Sequence, residues 1–416
     1  MATKKSSRQR LKVWLDDPDF GPLQQIGTLH KVGHDGVRFA YTKAWFDSPL
    51  VFQLDPNLTL DTGDFYPANS NFGIFMDSCP DRWGQVLMQR RETIAAKEAG
   101  RAKITLGAWE FLRSVQDHTR MGALRFTSDD QDDVFIADEL RSAPPMTSLA
   151  ELQAVALELT RKKLDDLPKL KQWLKILVAP GASLGGARPK ANLSDGNDLW
   201  IAKFPAADDD RDVALWEKLV HDMAHDCGID VPPSRIERVG NEYHTFMVKR
   251  FDRDGGARKL FTSAMTLLNK SDQDEASYID LAQFIREQGS PAHIAADLRQ
   301  LFRRVAFNIA VANRDDHLRN HGFIRTLAGW RLSKAYDMNP SVKKQEHVLG
   351  IDEGLHAPSL EHLLDTARYY DLAPAEATHI IGEVLAVIAT WRARASKAHI
   401  SVADIEEMEH LFITSQ

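Results

Sequence analysis

The chain has 416 residues and a formal net charge of -7, with 43% hydrophobic and 27% charged residues. That length exceeds what one hydrophobic core serves, so two or three domains of an ordinary globular protein are expected. The negative balance excludes broad, sequence-independent nucleic-acid binding by the chain itself, although a local basic face could still meet DNA beside a partner. Two cysteines, Cys79 and Cys227, stand far apart and build neither a disulfide framework nor a zinc site of their own, which points to a reducing cytoplasm. The basic start MATKKSSRQR leads into LKVWLDD without a long apolar core, and no run of about eighteen apolar residues follows anywhere, so neither a secretory signal nor a membrane span is expected.

In chain order, LKVWL, GTLHKV, VRFAYT and VFQL (51–54) are short apolar runs between Gly, Asp and Pro turn signals, which predicts a small antiparallel sheet or half-barrel. Pro80 and Asp81 open a helix carrying Trp83, Val86, Leu87 and Arg90, read as a packing element, and MGALRF (121–126) is a further strand. Residues 128–146 are acidic and contain Pro, as a linker would. Ser148 and Glu151 form a capping-box pattern ahead of Leu149, Leu152, Ala156 and Leu159, predicting a helix to about Lys163 and a second over 168–177.

APGASLGGARPKANL (179–193) is a small, flexible, cationic loop, whose glycines would let backbone N–H groups approach phosphate oxygens. No GK[ST] follows, so it is not a Walker A sequence, and a hairpin turn is the plain alternative. Lys203, in the strand-like WIAKF, stands where a lysine neutralises phosphate charge in kinases. Trp216, Leu219, Val220, Met223 and Cys227 mark a helix, on which Glu217 is either an acid holding Lys203 or a surface residue. HDMAH (221–225) imitates a metalloprotease motif, but Asp replaces the Glu and no third ligand stands out. VPPSRIERV and YHTFMVKRFDRD read as two strands, with MVKRFDR as the connection behind an adenine and the backbone of Lys249 and Phe251 facing it. Helical spacing then covers Tyr278–Gln288, Ala295–Ala312, Ser359–Tyr370 and Pro374–Ala395, where Ile380, Ile381, Val384, Leu385, Ile388 and Trp391 form a core stripe, and the last twenty residues form one more amphipathic helix.

The chemistry is densest in FNIAVANRDDHLRNHGFIRTLAGWRLSKAYDMNP (307–340). Asp315 precedes Asn320 by five positions, and Asp337 lies seventeen further on. This is the order phosphoryl transfer from ATP requires: a carboxylate to take a hydroxyl proton, then an Asn and an Asp to hold Mg on the phosphates. NRDDHLRN and AYDMNP differ from the HRDxxxxN and DFG of protein kinases, so the site is kinase-like but outside the ordinary family. A polar turn with solvated acids is the simpler alternative.

SLGGARPKANL with WIAKFP, then MVKRFDR, NRDDHLRNHGF and AYDMNP, together resemble the HipA family of serine/threonine kinase toxins, and FMDSCPDRWG with MGALRF resembles that family's N-terminal part. The resemblance covers roughly residues 11–395. It implies an α+β, bilobal, protein-kinase-like fold: an N-terminal subdomain (1–127), the rest of a mostly β N-terminal lobe with the ATP-binding loop (128–250), and a helical C-terminal lobe (251–416). It implies Asp315 as catalytic, Asn320 and Asp337 as Mg ligands, and Lys203 as the ATP lysine. It also implies phosphate binding by Gly185, Gly186, Ala187, Arg188, Pro189 and Lys190, with Lys249, Arg250, Phe251, His317, Leu318, Arg319 and Tyr336 around the nucleotide. Ser183 matches a serine that members autophosphorylate, ejecting the loop; a phosphate there would add roughly -1.5 to -2 charges beside Arg188 and Lys190. Arg319 stands where a Lys is frequent, keeping the charge. The implied partners are a small helix-turn-helix antitoxin (HipB-like), operator DNA through that antitoxin, and a protein substrate such as an aminoacyl-tRNA synthetase. A small-molecule kinase with a closed acceptor pocket and a non-catalytic co-repressor are the rival classes.

Overall fold

In the computed structural model the described residues are 9–33, 36–128, 131–137, 143–160, 174, 188–240 and 243–414. They divide into two compact units: Met1–Ala207 with Asp252–Thr262, and Asp208–Phe251 with Ser263–Gln416.

The first unit is built on a five-stranded antiparallel sheet in the order Gly36–Tyr41, Gln24–Val32, Arg10–Leu15, Leu124–Ser128, Gln131–Phe135. Strict alternation in Arg10–Leu15 buries Leu11, Val13 and Leu15 on one face, as a period of two demands. Gly27 is required on the neighbouring strand: a Cβ there would stand 2.2 Å from the Phe39 ring, which crosses over it. The predicted strand at 51–54 is irregular chain instead. Phe52 and Leu54 are still buried, but Gln53 turns its amide onto the carbonyls of Asp55 (2.9 Å) and Pro56 (3.1 Å), and Pro49 and Pro56 remove ladder donors on either side. Conversely, the expected linker over 128–146 contains the fifth strand, whose Phe135 ring lies 3.3 Å beneath the Arg125 guanidinium.

Helix Arg82–Glu98 forms as expected, with Asp81 Oδ1 accepting the Gly84 N–H at 2.9 Å as its N-cap. Helix Ala108–Ser114 was not anticipated; it is only seven residues long, and its start is tied by Glu110 accepting the Gly107 N–H at 3.1 Å. The Ser148–Glu151 capping box does not form. A 3-10 turn, Met146–Ser148, runs straight into helix Leu149–Thr160 and already satisfies the first backbone groups. The predicted continuation to Lys163 and helix 168–177 lie outside the described residues, apart from Leu174, which is helical and buried.

A buried charge cluster closes this unit. Asp117 binds Arg125 (2.6 Å) and Arg258 (3.1 Å), Asp252 accepts from the Gly122 backbone (2.8 Å) and Arg253 (2.6 Å), and Arg120 donates to the carbonyls of Leu112 and Val115, each at 2.9 Å. Burial lowers the Arg120 guanidinium to about 10. Burial alone would raise the Asp117 carboxyl, but Arg258, Arg125 and Arg120 overcome it and hold the group below the usual range.

The second unit is mainly helical. Helix Val213–Asp226 packs on the antiparallel pair Ser234–Glu237 and Thr245–Lys249, and Ile294–Ala310 lies against Pro374–Ile388 with Leu298, Leu301, Phe302 and Val305 fully buried. Tyr278–Gln288 has its predicted bounds. The predicted helix over 359–370 divides into Leu360–Asp365 and a 3-10 turn, Ala367–Tyr370, and the one over 374–395 breaks at Ala389 and Thr390 before Trp391–Lys397. The break lets Trp391 stack on Phe412 at 4.6 Å and 13°, beyond the last helix, Val402–Met408. The hairpin Gly322–Thr326 and Gly329–Leu332 was not foreseen. Gly329 has φ 148°, and a Cβ there would lie 2.7 Å from the Gly289 backbone, so only glycine lets the hairpin tip seat against that helix end. Among the described residues no helix is long and apolar enough to cross a membrane.

Candidate functional site: the loop after the buried helix

Helix Ile294–Ala310 ends where Ala312 takes a left-handed conformation, φ 54°, and turns the chain into Asn313–Asn320. An alanine pays for that geometry, whereas glycine would not. The two acids that follow have opposite environments. Asp316 is buried, and its Oδ2 meets the Tyr278 hydroxyl at 2.7 Å, Asn308 Nδ2 at 2.8 Å and His321 Nε2 at 2.7 Å. Burial by itself would raise this carboxyl; the His321 charge and hydrogen bond, the Tyr278 hydroxyl and the His317 charge outweigh it and hold it low. The Tyr278 phenol is pushed well up by burial and by the Asp316 charge. Asn313 Nδ2 donates to Asn308 Oδ1 at 3.0 Å, which fixes the loop to the helix.

Asp315, one residue earlier, points outward: its side chain is 63% exposed and pairs with Lys344. The carboxylate therefore faces solvent, where an incoming hydroxyl can reach it. His317 precedes the 3-10 turn Leu318–Asn320, which closes with the Asn320 N–H on the His317 carbonyl at 2.8 Å and buries Leu318 and Asn320. Asn320 Oδ1 is buried without a hydrogen-bond partner, as is His317 Nδ1. A buried amide oxygen left unpaired is costly unless a ligand satisfies it. Asp337 adopts φ 59°, a second left-handed residue that is not glycine. An amide oxygen and a carboxylate are the hard donors Mg prefers, so these residues fit that ion by their chemistry.

Arg319 is exposed and grips Asp272 through Nε at 3.1 Å and Nη2 at 2.8 Å. Tyr336 donates its hydroxyl to the Arg319 carbonyl at 2.8 Å and stacks on Phe251 at 5.6 Å and 29°. Phe251 thus stands beside the turn, while the Lys249 N–H bonds the Pro233 carbonyl at 2.8 Å and Arg250 is buried. Glu217 is buried on helix Val213–Asp226. On the same helix His221 faces Ser234 Oγ at 3.0 Å and His225 is exposed.

In the first unit, Lys190 and Lys203 are direct cross-strand partners in the hairpin Lys190–Asp195 and Asp198–Lys203, so both side chains leave the same face. Lys190 Nζ lies 2.8 Å from Asp81 Oδ2, both nearly buried, which makes the helix N-cap also a counter-charge. The Phe204 N–H reaches the Pro189 carbonyl at 2.9 Å, and Arg188 is the first described residue of this segment. Ser183, Gly185, Gly186 and Ala187 lie outside the described residues. The ion-pair role of Asp81 and the roles of Tyr278, Asn308, His321 and Lys344 were not read from the sequence. Asp81 carried a local signal as the residue that opens its helix, and Tyr278 another, standing directly after the N-cap Ser277.

Residues 182–391 match the HipA-like C-terminal domain and residues 11–131 the HipA N-terminal domain. The chain belongs to the HipA family. A putative kinase of Haemophilus influenzae is 28% identical to this HipA-family chain over 169 residues, 35% of the chain and 48% of the relative, so the match spans about half the relative's length. The HipA of a Shewanella oneidensis MR-1 complex with HipB and operator DNA superposes with a TM-score of 0.65 at 16% identity, covering 96% of this chain and 94% of that one. The α+β fold is therefore that of HipA. The Helicobacter pylori proinflammatory kinase CtkA has a TM-score of 0.39 at 13% identity over 53% of this chain and 88% of its own, too slight a likeness to argue from.

Proposed function

We propose that this HipA-family chain is an ATP- and Mg-dependent serine/threonine protein kinase and the toxin of a type II toxin-antitoxin module. One observation carries the reading: the buried, unpartnered Asn320 Oδ1 stands five residues after the exposed Asp315, with the left-handed Asp337 following. In this reading Asp315 orients the acceptor hydroxyl and takes its proton, and Asn320 and Asp337 hold the ion. Mg, when bound, draws charge from the phosphate oxygens. Lys203, with Gly185, Gly186, Ala187, Arg188, Pro189 and Lys190, would meet the phosphates, Glu217 would steady that lysine, and Lys249, Arg250, Phe251, His317, Leu318, Arg319 and Tyr336 would line the rest of the nucleotide. Ser183 would be the autophosphorylation site that limits activity.

The kinship with a HipA seen bound to HipB and operator DNA supports a HipB-like helix-turn-helix antitoxin and operator DNA as partners here. The substrate we propose is a translation component such as an aminoacyl-tRNA synthetase, met in a bacterial cytoplasm. The test is intact-protein mass after incubation with Mg and ATP. The wild type should gain one phosphate, and Asp315→Ala and Ser183→Ala none, with Ser183→Ala still transferring phosphate to a protein acceptor. A wild type that is unphosphorylated at the start and neither gains mass nor binds ATP would overturn the kinase in favour of a co-repressor.

A further inference from the structure

Resting on the kinase reading, we infer that Lys344 is a further catalytic residue, placing its ammonium where the Asp315 carboxylate meets the phosphoryl group in transfer. Lys344 Nζ is in contact with Asp315 Oδ1, and among the described residues it is that carboxylate's ion-pair partner. The lysine is not a wandering surface cation. Its backbone carbonyl accepts from Arg314 Nη1 at 2.7 Å, and the segment around it is laced to the acidic loop. The Ser341 N–H bonds the Ala312 carbonyl at 2.8 Å, and the Val348 N–H bonds the Arg314 carbonyl at 3.1 Å. The lacing begins four residues after Asp337, so one stretch of chain carries both the carboxylate assigned to the metal and the cation beside the base.

The chemistry needs a cation at that place. As the acceptor oxygen forms its bond to the γ-phosphorus, its proton passes to Asp315, the bond from phosphorus to the bridging oxygen breaks, and ADP leaves with that electron pair. Charge spreads over the three equatorial oxygens during this step, and a fixed positive group beside them lowers the barrier. Asp315 alone repels those oxygens. Lys344 offsets that repulsion, keeps its own proton throughout, and leaves the carboxylate's second oxygen for the hydroxyl. The side chain is 42% exposed, so replacing it leaves the core intact.

The experiment compares wild type, Lys344→Met, Lys344→Arg and Lys343→Met for the rate of γ-phosphate loss from Mg·ATP, to the chain or to water, alongside ATP affinity by calorimetry and thermal unfolding. Lys344→Met should lower kcat about 10²-fold, the usual effect of losing one preorganised group facing transition-state charge. Its ATP affinity and unfolding temperature should be unchanged. Lys344→Arg should recover part of the rate, and Lys343→Met, altering the exposed neighbour, should behave as wild type. A Lys344→Met variant as fast as wild type, or faster, overturns the inference while leaving the kinase standing; faster turnover would make Lys344 a restraint on the base. A variant slowed only through weaker ATP binding or lost stability overturns it too. A wild type that releases no γ-phosphate removes the kinase reading and this inference with it.

Discussion

His321 Nε2 lies 2.7 Å from Asp316 Oδ2, with both side chains 3% exposed, and this sealed pair is one residue from the open carboxylate of Asp315. The buried acid is held by three donors and in turn holds the loop that presents the exposed one.

The two acids should therefore separate by measurement. Asp316→Ala leaves Tyr278, Asn308 and His321 facing an empty site and should cost about 3–5 kcal/mol of stability. Asp315→Ala, at an exposed position, should stay within about 0.5 kcal/mol of wild type while losing phosphate transfer. Urea unfolding of both variants checks this, and equal midpoints would contradict the assignment.

Burial lowers the His347 imidazole to about 4 despite the nearby Asp316 charge, with Arg314 and His356 adding to the effect. The unfolded chain binds this proton more readily, so the contribution of His347 is complete above about 6.5 and is lost as pH falls towards 4. On the order of 3 kcal/mol is at stake. His347→Gln should flatten the stability profile between those limits when unfolding is followed against pH.

In the first unit the sign comes from a carboxylate. Asp117 titrates below the ordinary value in the folded state, so the stability it supplies is present above about pH 3.9 and is lost as pH falls through its lower folded value. Asp117→Ala strands Arg258 and should cost about 3–5 kcal/mol at neutral pH. Calorimetric unfolding of the variant would show it, and an unshifted transition would refute it.

Tyr336 offers a graded test of the proposed nucleotide site. Tyr336→Phe keeps the ring on Phe251 and removes one hydrogen bond, so ATP affinity should fall only a few-fold, for about 1 kcal/mol. Tyr336→Ala removes the stack as well and should weaken binding about tenfold or more. Titration calorimetry with ATP distinguishes the two, and identical losses would place the nucleotide elsewhere.

Much of this was legible because periodicity and spacing are local. The strands around Leu11–Leu15 and the bounds of Tyr278–Gln288 follow from alternation and a cap, and the order of Asp315, Asn320 and Asp337 along the chain is what singles them out for the proposed site. What escaped depends on partners distant in sequence. The stretch 51–54 has the composition of a strand, but its Val51 and Leu54 N–H groups go to the Ser48 carbonyl and the Tyr41 hydroxyl, and it lies between prolines. Residues 131–135 read as an acidic linker until Leu124–Ser128 offers them an edge. Lys190 reads as part of a phosphate loop, and the sequence gives no sign that it also forms an ion pair with Asp81, more than a hundred residues earlier. Lys344 carries no signal at all, since nothing in SVKKQEH reveals which lysine pairs with Asp315.

Ala312 has a consequence for time as well as for shape. Its methyl group is wholly buried, and its left-handed backbone is held from one side by the helix it ends and from the other by Ser341. The turn is thus set when the chain folds, and no ligand has to wait for it. Association with the loop should proceed in a single concentration-dependent phase, without the slow second phase that accompanies a rearranging site.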